Sequence, residues 1–320
     1  MKVYRSLETY QKGNNPVATI GTFDGVHLGH SSILHSLIDS AKEVQGETVL
    51  ISFYPHPRLV LFPNDDSLKM LQTLEEKIAT LEAIGLDKLL LIPFTREFSR
   101  TSSRAFIRDI LVGVVGIKKI VIGYDHHFGR NRTGGLEELQ SYANRYNYEV
   151  QEIPAKAIDD ANISSTKIRN ALKNGELESA NLYLGYPYEV SGVVIHGQKL
   201  GRTLGYPTAN IKVGYEQKLI PAKGLYLVRV HHEGGPHFGL LNLGNKPVAG
   251  KFPLGLEVFL LDFEGDLYDQ PLRVQFLKYL RPEKDLGEFP KAERLDRLVE
   301  IMKQDEANAR DLIPRFTLEA

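Results

Sequence analysis

The pattern of secondary-structure signals changes near residue 184, and this change constrains the fold more than any other feature of the sequence. Before it, short apolar runs typical of strands alternate with stretches whose apolar residues recur at helical spacing. After Gly185, strand-like runs follow one another, separated by connections rich in Gly, Pro, Asn and Asp. A length of 320 residues also favours two domains. We therefore predict domains at 1–184 and 185–320.

The first domain is predicted to be an α/β domain with a parallel sheet. Strands separated by helices imply right-handed crossovers, which place helices on both faces of the sheet. Thr73 and Glu76 have the spacing of a capping box, and Gly85 would end the helix that they begin. The predicted strands are 17–21, 48–53, 89–92, 119–122 and 149–153, and the predicted helices are 31–44, 73–85, 104–112 and 136–146.

The second domain is predicted to be an antiparallel barrel or sandwich, because its short strands have turn signals and no helices between them. The strand-like runs are 190–195, 224–230, 238–243, 256–263 and 272–279. One long helix follows at about 291–312, and its apolar residues recur at helical spacing, which indicates that one face docks onto the barrel. These apolar residues are Leu295, Leu298, Ile301, Met302 and Ala309.

Charge and composition limit the classes of partner and compartment. Lys and Arg number 39 and Asp and Glu number 40, and neither half is strongly basic, so binding to nucleic acid is not expected. The chain has no cysteine, which excludes thiolate metal sites and is compatible with a reducing cytosol. The most apolar stretch, 110–124, is too short to span a bilayer and is broken by Lys118 and Lys119. We predict a soluble, cytoplasmic protein with no membrane partner.

Four polar, Gly-marked segments follow predicted strands in the first half. In an open parallel sheet, ligands bind beyond the carboxyl ends of the strands, and those ends meet at one edge. We therefore expect the four segments to build one ligand site. The segments are GTFDGVHLGH at 21–30, YPHP at 54–57, GYDHHFGRNRTGG at 123–135 and ISSTKIR at 163–169.

His27 and His30 lie three residues apart at the start of a predicted helix, so both imidazoles can face one ligand. Gly29 between them lets a flat base or a phosphate approach the backbone closely. The helix N-terminus adds free amides and partial positive charge. This combination suits a phosphate undergoing in-line attack; metal ligation and plain helix capping are the alternatives.

A second candidate anion site lies at Ser164, Ser165 and Thr166, ahead of Lys167 and Arg169. Taken alone, these residues are explained by an ordinary helix N-cap. Two such sites at one edge of a sheet favour the phosphates of a nucleotide.

Several motifs resemble those of one enzyme family. GTFDGVHLGH resembles the signature of the HxGH nucleotidylyltransferases, and ISSTKIR resembles their second phosphate-binding motif. With SFYPHP and GYDHHFG between them, the spacing is similar to that of bacterial FAD synthetases, the bifunctional riboflavin kinase/FMN adenylyltransferases. GRTLGYPTANI at 201–211 resembles the kinase motif of that family, and LGNKPVAG at 243–250 and LEVFLLDF at 256–263 are similar to its later motifs. The resemblance implies a Rossmann-like first domain and a small antiparallel β-barrel kinase domain with a terminal helix.

The resemblance implies that the first domain transfers AMP from ATP to FMN, giving FAD and pyrophosphate. The catalytic residues would be His27 and His30, which would bind the ATP phosphates and the transition state. His126 stands where the family often has another aromatic residue. The other implied ATP- and phosphate-binding residues are Gly21, Phe23, Asp24, Gly29, Ser164, Ser165, Thr166 and Arg169. The implied flavin-binding residues are Phe53, Pro55, Pro57 and Asp125.

The resemblance implies that the second domain phosphorylates the ribityl hydroxyl of riboflavin with MgATP. Glu257 matches the general base of the family, and Thr208 and Asn210 match positions assigned to magnesium and phosphate. A primary alcohol that attacks a γ-phosphoryl group needs a proton acceptor and metal-neutralised charge. Outside this motif, Glu257 would be an ordinary strand carboxylate. Two glycines, Gly201 and Gly205, would permit close approach of the backbone to ATP, and Val248 stands where relatives commonly have Thr.

Three other functions are compatible with parts of the sequence. A class I aminoacyl-tRNA synthetase fragment shares a similar histidine motif, but the chain lacks a basic surface for RNA, and PTAN has no place in such a fragment. A different nucleotidylyltransferase could be fused to an unrelated barrel. A flavin or nucleotide sensor with inactive sites is the non-enzymatic alternative, and the intact motif residues argue against it. Incubation with riboflavin and MgATP, followed by chromatography of FMN and FAD, separates all of these.

Overall fold

The structure is a computed structural model that describes residues 1–65, 67–124, 126–154, 163–197, 201, 204–244, 255–284 and 293–317. Asp125 and Val248, both singled out from the sequence, lie outside these ranges. The chain forms two compact units, Met1–Ser165 and Thr166–Ala320. The functional boundary at 184/185 stays a prediction, because a compact unit and a functional domain need not end at the same residue.

The first unit is built on a six-stranded parallel sheet. Its strands are β1 (Lys2–Tyr4), β2 (Val17–Ile20), β3 (Thr48–Tyr54), β4 (Lys88–Pro93), β5 (Lys119–Gly123) and β6 (Glu149–Ile153). The strand order is β1-β4-β3-β2-β5-β6. The parallel sheet and its five predicted strands are confirmed, and β1 is an addition too short to leave a pattern in the sequence. Since β2 lies between β3 and β5, the carboxyl ends of these three strands are neighbours.

Helices connect the strands of this sheet. They are α1 (Leu28–Glu43), α2 (Pro57–Leu61), α3 (Leu74–Ile84), α4 (Ser103–Ala105), which continues as a π-helix over Phe106–Val115, and α5 (Leu136–Tyr146). Two apolar clusters form the core. Leu34 of α1 and Leu81 of α3 pack in one cluster, and Ile107 and Leu139 pack in the other. Each cluster also contains residues of the central strands, as expected for a sheet between two layers of helices.

The second unit contains a closed antiparallel barrel, as predicted. Its strands are β7 (Glu189–Ile195), β8 (Thr208–Lys212), β9 (Gly224–His232), β10 (Gly235–Gly244), β11 (Gly255–Leu260) and β12 (Pro271–Arg281). The order around the barrel is β10-β11-β8-β7-β12-β9. β11 ends earlier than predicted, because Asp262 adopts a left-handed conformation with φ of 55° that leaves the ladder. β8 is an addition, and it carries part of the PTAN motif.

Two helices precede the barrel and pack on it. They are α6 (Ser165–Asn174) and α7 (Leu177–Leu184), of which α7 was not predicted. The amide of Ala222 donates a hydrogen bond of 2.9 Å to the carbonyl of Leu172 in α6. The side-chain amide of Asn181 in α7 donates a hydrogen bond of 2.9 Å to the carbonyl of Phe276 in β12. The residues just before the predicted functional boundary are therefore anchored on a barrel strand.

The terminal helix, α8 (Arg294–Thr317), docks onto the outside of the barrel, as predicted. Ala309 is fully buried in an apolar cluster with Leu225 and Leu240. The guanidinium of Arg281 on β12 holds both carboxylate oxygens of Asp305 on α8, one of them at 2.9 Å. The side chain of Leu295 lies outside the described part of the chain. Among the described residues, no helix has the length and apolarity needed to span a bilayer.

Candidate active sites

A cleft of about 860 Å³ lies at the carboxyl edge of the parallel sheet. Three of the four segments expected there line it: residues at the ends of β2, β3 and β5, with Gly21, Phe53 and His126 among them. The cleft also has a wall that sequence reasoning missed, formed by the segment from Phe94 to Phe106 after β4. The rule that placed the other segments applies to this one too, since it follows a parallel strand.

The loop between β2 and α1 has an unusual backbone that is held by specific contacts. Phe23 and Val26 have positive φ angles of 47° and 30°, which cost non-glycine residues about 1–3 kcal/mol each unless the surroundings impose them. The buried carboxylate of Asp24 accepts hydrogen bonds from the backbone amides of Leu71 at 3.1 Å and Gln72 at 3.3 Å. Asp24 therefore supports the loop through its side chain, although the resemblance implied a role toward ATP.

The two histidines of this loop are brought together, as expected from their spacing. Their rings stack with centroids 3.7 Å apart and planes 17° from parallel. His30 lines the cleft, and its pKa is held well below the usual value, first by burial and then by His27 and Lys77. His27 occupies the N-cap position of α1 without a capping hydrogen bond from its side chain. The capping interpretation of His27 therefore finds no support, and His30 presents a neutral imidazole.

Metal ligation, the second alternative for this pair, also lacks a complete ligand set. In the part of the chain that the structure describes, no group of three or more His, Cys, Asp or Glu side chains could hold a metal ion. Two stacked imidazoles at a helix N-terminus are better suited to donate hydrogen bonds to an anion.

An aromatic cluster forms one wall of the cleft. Phe53 packs against Phe98 and Phe106, with ring centroids 6.0 and 6.4 Å apart. Phe128 extends this cluster beside Phe106 and stacks on His126. Of the residues assigned to the flavin, Phe53 and Pro57 line the cleft, whereas Pro55 does not. The wall can accept a large planar apolar ring system.

The second phosphate motif forms the first turns of α6. The hydroxyl of Ser165 donates a hydrogen bond of 3.0 Å to the carbonyl of Asp24, so this residue contacts the histidine loop directly. Ser164 and Thr166 are exposed, and Arg169 is buried. A helix N-terminus that carries hydroxyl side chains fits the anion site predicted from the sequence.

A second cavity, of about 300 Å³, lies in the other unit between the wall of the barrel and α8. Thr208, Glu257 and Phe259 line it from the barrel, and Leu298 and Met302 line it from the helix. The opposite side of β11 faces the barrel interior, where Val258 is fully buried. The face shared by Glu257 and Phe259 thus borders a cavity rather than open solvent.

Strand register brings the predicted kinase residues side by side on this wall. Glu257 pairs with Asn210 of β8, and Phe259 pairs with Thr208. On the other side, Glu257 pairs with Asn242 of β10, which also lines the cavity. The carboxylate of Glu257 is therefore flanked by two amide residues. Sequence reasoning missed Asn242, because its place is fixed by the pairing of β10 with β11 and not by any motif.

Two glycines lie where a side chain would disturb this wall. A Cβ atom on Gly201 would come within 2.2 Å of the carbonyl oxygen of Tyr206. A Cβ atom on Gly197, which sequence reasoning did not single out, would come within 2.3 Å of the amide nitrogen of Asn210. Gly205 has a φ of 82°, a conformation that favours glycine. Gly201 thus has a steric reason to be glycine, and Gly205 has a conformational one.

Comparison with known proteins matches each unit to an enzyme family. Residues 9–167 match the family model of FAD synthetase, and residues 184–313 match that of riboflavin kinase. The histidine loop falls in the first match, and Thr208, Asn210 and Glu257 fall in the second.

Whole-length relatives agree with both matches. A bifunctional riboflavin kinase/FMN adenylyltransferase from Listeria monocytogenes is 36% identical over 92% of both chains. The enzyme of that name from Escherichia coli K12 is 34% identical over 97% of both chains. A solved structure described as a macrolide-efflux protein from Streptococcus pneumoniae is 27% identical, with a TM-score of 0.84 over 97% of this chain and 98% of its own. By the identity and coverage of its curated relatives, the chain belongs to the bifunctional riboflavin kinase/FMN adenylyltransferase family.

Proposed function

We propose that the two activities of this family use separate sites in the chain. As a member, the enzyme phosphorylates riboflavin with ATP to give FMN and then transfers AMP from ATP to FMN to give FAD and pyrophosphate. Adenylyl transfer is assigned to the cleft at the sheet edge, and riboflavin phosphorylation to the cavity on the barrel wall. The observation that carries the assignment is that each cavity is lined by motif residues of one activity only, His30 in the first and Thr208 with Glu257 in the second.

In adenylyl transfer, a phosphate oxygen of FMN forms a bond to the α-phosphorus of ATP while the bond to the pyrophosphate oxygen breaks. No protein group has to form a covalent bond, so positioning and electrostatic stabilisation supply the catalysis. His27 and His30 would donate hydrogen bonds to the phosphate oxygens on which charge develops. Thr166 and Arg169 are proposed to bind the remaining phosphates, on the strength of their motif alone.

The aromatic wall of the cleft is the proposed site of the isoalloxazine ring. Phe53, Phe98 and Phe106 offer ring faces and edges to a planar tricyclic system, and offset contacts between aromatic rings stabilise beyond simple burial. Pro57 also lines this cleft. This arrangement would hold the flavin at one end of the cleft and leave the histidine end to the reacting phosphates.

In riboflavin phosphorylation, the oxygen of the ribityl hydroxyl forms a bond to the γ-phosphorus of ATP and ADP leaves. Glu257 is proposed to accept the hydroxyl proton, which requires a carboxylate within reach of the reacting oxygen. Its neighbours on the wall, Asn210 and Asn242, can donate amide hydrogen bonds that orient the carboxylate. Phe259, on the same face of β11, would contact the flavin ring.

Thr208 and Asn210 are the proposed protein contacts of magnesium. A hydroxyl oxygen and an amide oxygen are ligand types that Mg²⁺ accepts, and Mg²⁺ is usually held by few protein oxygens together with substrate phosphates. This donor set fits a metal that arrives as MgATP. When bound, magnesium neutralises charge on the transferred phosphoryl group.

Separating the two domains should separate the two activities. Fragment 1–184 should convert supplied FMN to FAD without phosphorylating riboflavin, and fragment 185–320 should do the reverse. Because α6 and α7 pack on the barrel, a second division at 165/166 serves as the comparison. Fragment 166–320 keeps this packing and should phosphorylate riboflavin, whereas fragment 1–165 lacks Thr166 and Arg169 and should not make FAD. Production of FMN from riboflavin by fragment 1–184 would show that the sites are wrongly assigned.

A further inference from the structure

Lys77 is a buried lysine next to the cleft at the sheet edge, and no motif included it. It lies in α3 and is only 8% exposed. Its ammonium group donates a hydrogen bond of 2.8 Å to the backbone carbonyl of Thr22, which lines the cleft. It forms no ion pair with a carboxylate in the part of the chain that the structure describes. Burying an ammonium group is unfavourable unless polar contacts compensate for the lost hydration. The hydrogen bond to the Thr22 carbonyl is such a contact.

Thr22 is the residue at which the strained histidine loop begins. Phe23, Gly25 and Val26 follow it with positive φ angles, and His27 and His30 come next. The hydroxyl of Ser52 also points to the Thr22 carbonyl, but at 3.4 Å, so the short bond from Lys77 is the stronger restraint. Backbone in sparsely populated conformations persists only where its surroundings impose it.

The N-terminal end of α3 and the residues just before it hydrogen-bond to this loop at two points. The amides of Leu71 and Gln72, just before the helix, hold the carboxylate of Asp24. Lys77, in the first turns of the helix, holds the carbonyl two residues earlier in the loop. The start of α3 is itself fixed by the capping box of Thr73 and Glu76, in which both reciprocal hydrogen bonds are present. The capping box thus fixes the two sets of hydrogen bonds, at Asp24 and at Thr22, relative to each other.

Lys77 also acts on His30 through its charge. The titratable groups that face His30 are His27 on the same turn and Lys77 on α3, and both lower the pKa of His30 in addition to the effect of burial. Burial in turn lowers the pKa of Lys77, while the nearby Asp24 raises it. A positive charge at this place disfavours an imidazolium and keeps His30 a neutral hydrogen-bond donor.

We propose that Lys77 is a positioning residue for adenylyl transfer, which fixes the backbone of the histidine loop through the Thr22 carbonyl and faces His30 with its charge. This role rests on the proposed function of the cleft. It does not require Lys77 to touch ATP or FMN. A merely structural lysine would instead affect only the stability of the fold.

The test compares Lys77→Met and Lys77→Arg with Lys88→Met in the full chain. Lys88 is a matched control, because it is also buried in the first unit and bonds to the Gln11 carbonyl at 3.2 Å and to Glu47 at 3.0 Å. With FMN and ATP as substrates, Lys77→Met should lower kcat by about 10²-fold, since displacing a catalytic group by about 1 Å costs that much. The KM for FMN should change little. Lys77→Arg should keep most of the activity of the unmodified enzyme. Lys88→Met should lower Tm without this loss of kcat.

NMR titration of the histidine ring protons gives a second measurement, the titration midpoint of His30, which a loss of stability alone would not change. Removing the positive charge favours the imidazolium, so the midpoint of His30 should rise in Lys77→Met and stay in place in Lys77→Arg and Lys88→Met. If Lys77→Met does not fold, Lys77→Gln takes its place in both measurements.

Wild-type kcat for FAD synthesis in Lys77→Met, or an equal loss in Lys88→Met, would overturn the positioning role. If the cleft were not the site of adenylyl transfer, His27→Ala would also keep its activity in FAD synthesis. An inactive His27→Ala together with a fully active Lys77→Met would contradict the role of Lys77 alone.

Discussion

Glu257→Gln should phosphorylate riboflavin about 10²–10⁴-fold more slowly than the unmodified enzyme, which is the usual contribution of a general base. Glutamine keeps the size of the side chain and its place between Asn210 and Asn242 on the cavity wall, but it cannot accept the proton of the ribityl hydroxyl. Binding of riboflavin and ATP should change little, because the shape of the cavity is kept. FMN supplied from outside should become FAD at the normal rate, since Glu257 lines the cavity on the barrel wall and not the cleft at the sheet edge.

Two assays on one purified variant measure this effect, one started from riboflavin and one from FMN. Glu264→Gln is the matched control, because Glu264 is an exposed carboxylate of the same unit that lines neither cavity. It should keep both activities. Normal FMN production by Glu257→Gln would return Glu257 to the role of an ordinary strand carboxylate.

His27→Ala and His30→Ala should each slow the conversion of FMN to FAD by about 10²–10³-fold. Each change removes a proposed hydrogen-bond donor to developing phosphate charge, and loss of one such donor typically costs about 2.7–4 kcal/mol of transition-state stabilisation. The two rings stack at 3.7 Å, so the effects of the two substitutions should not add fully in the double variant. Riboflavin phosphorylation should be untouched.

The measurement is the initial rate of FAD formation from FMN and ATP, with riboflavin phosphorylation followed in parallel. His35→Ala is the control, since His35 lies exposed on the same helix, α1. An equal loss of both activities would indicate misfolding. Full activity in both single variants would remove the two histidines from the mechanism.

Sequence patterns predicted those parts of the fold that local chemistry determines. The capping box at Thr73 and the left-handed Gly85 set both ends of α3, and α5 and β6 have the predicted bounds. By contrast, β8 was missed as a strand because TANIK has little alternation of polar and apolar residues, and its place depends on pairing with β7 and β11. Distant partners, not local propensity, decide whether such a segment is a strand.

The residues of the candidate sites also fall into two groups, those that sequence motifs predict and those that depend on distant contacts. Motifs and the carboxyl-end rule pointed to His27, His30 and Glu257, and the structure brings the two histidines together and places Glu257 on a cavity wall. Lys77 and Asn242 could not be found by these means. Lys77 bonds to the carbonyl of Thr22 across 55 positions of the sequence, a separation that local patterns do not connect. In the sequence, its side chain looks like part of a solvated helix face. Asn242 depends on the register between β10 and β11.

Mixing the two inactive variants tests most directly whether one chain carries two separate sites. Supplied with riboflavin and MgATP, Glu257→Gln alone should form almost no FMN or FAD, and His27→Ala alone should accumulate FMN. An equimolar mixture of the two should form FAD, because FMN made by His27→Ala is a substrate for the intact cleft of Glu257→Gln. Chromatography of the three flavins over time gives the result. Formation of FAD by His27→Ala alone at the rate of the unmodified enzyme, or a mixture that stops at FMN, would contradict the account.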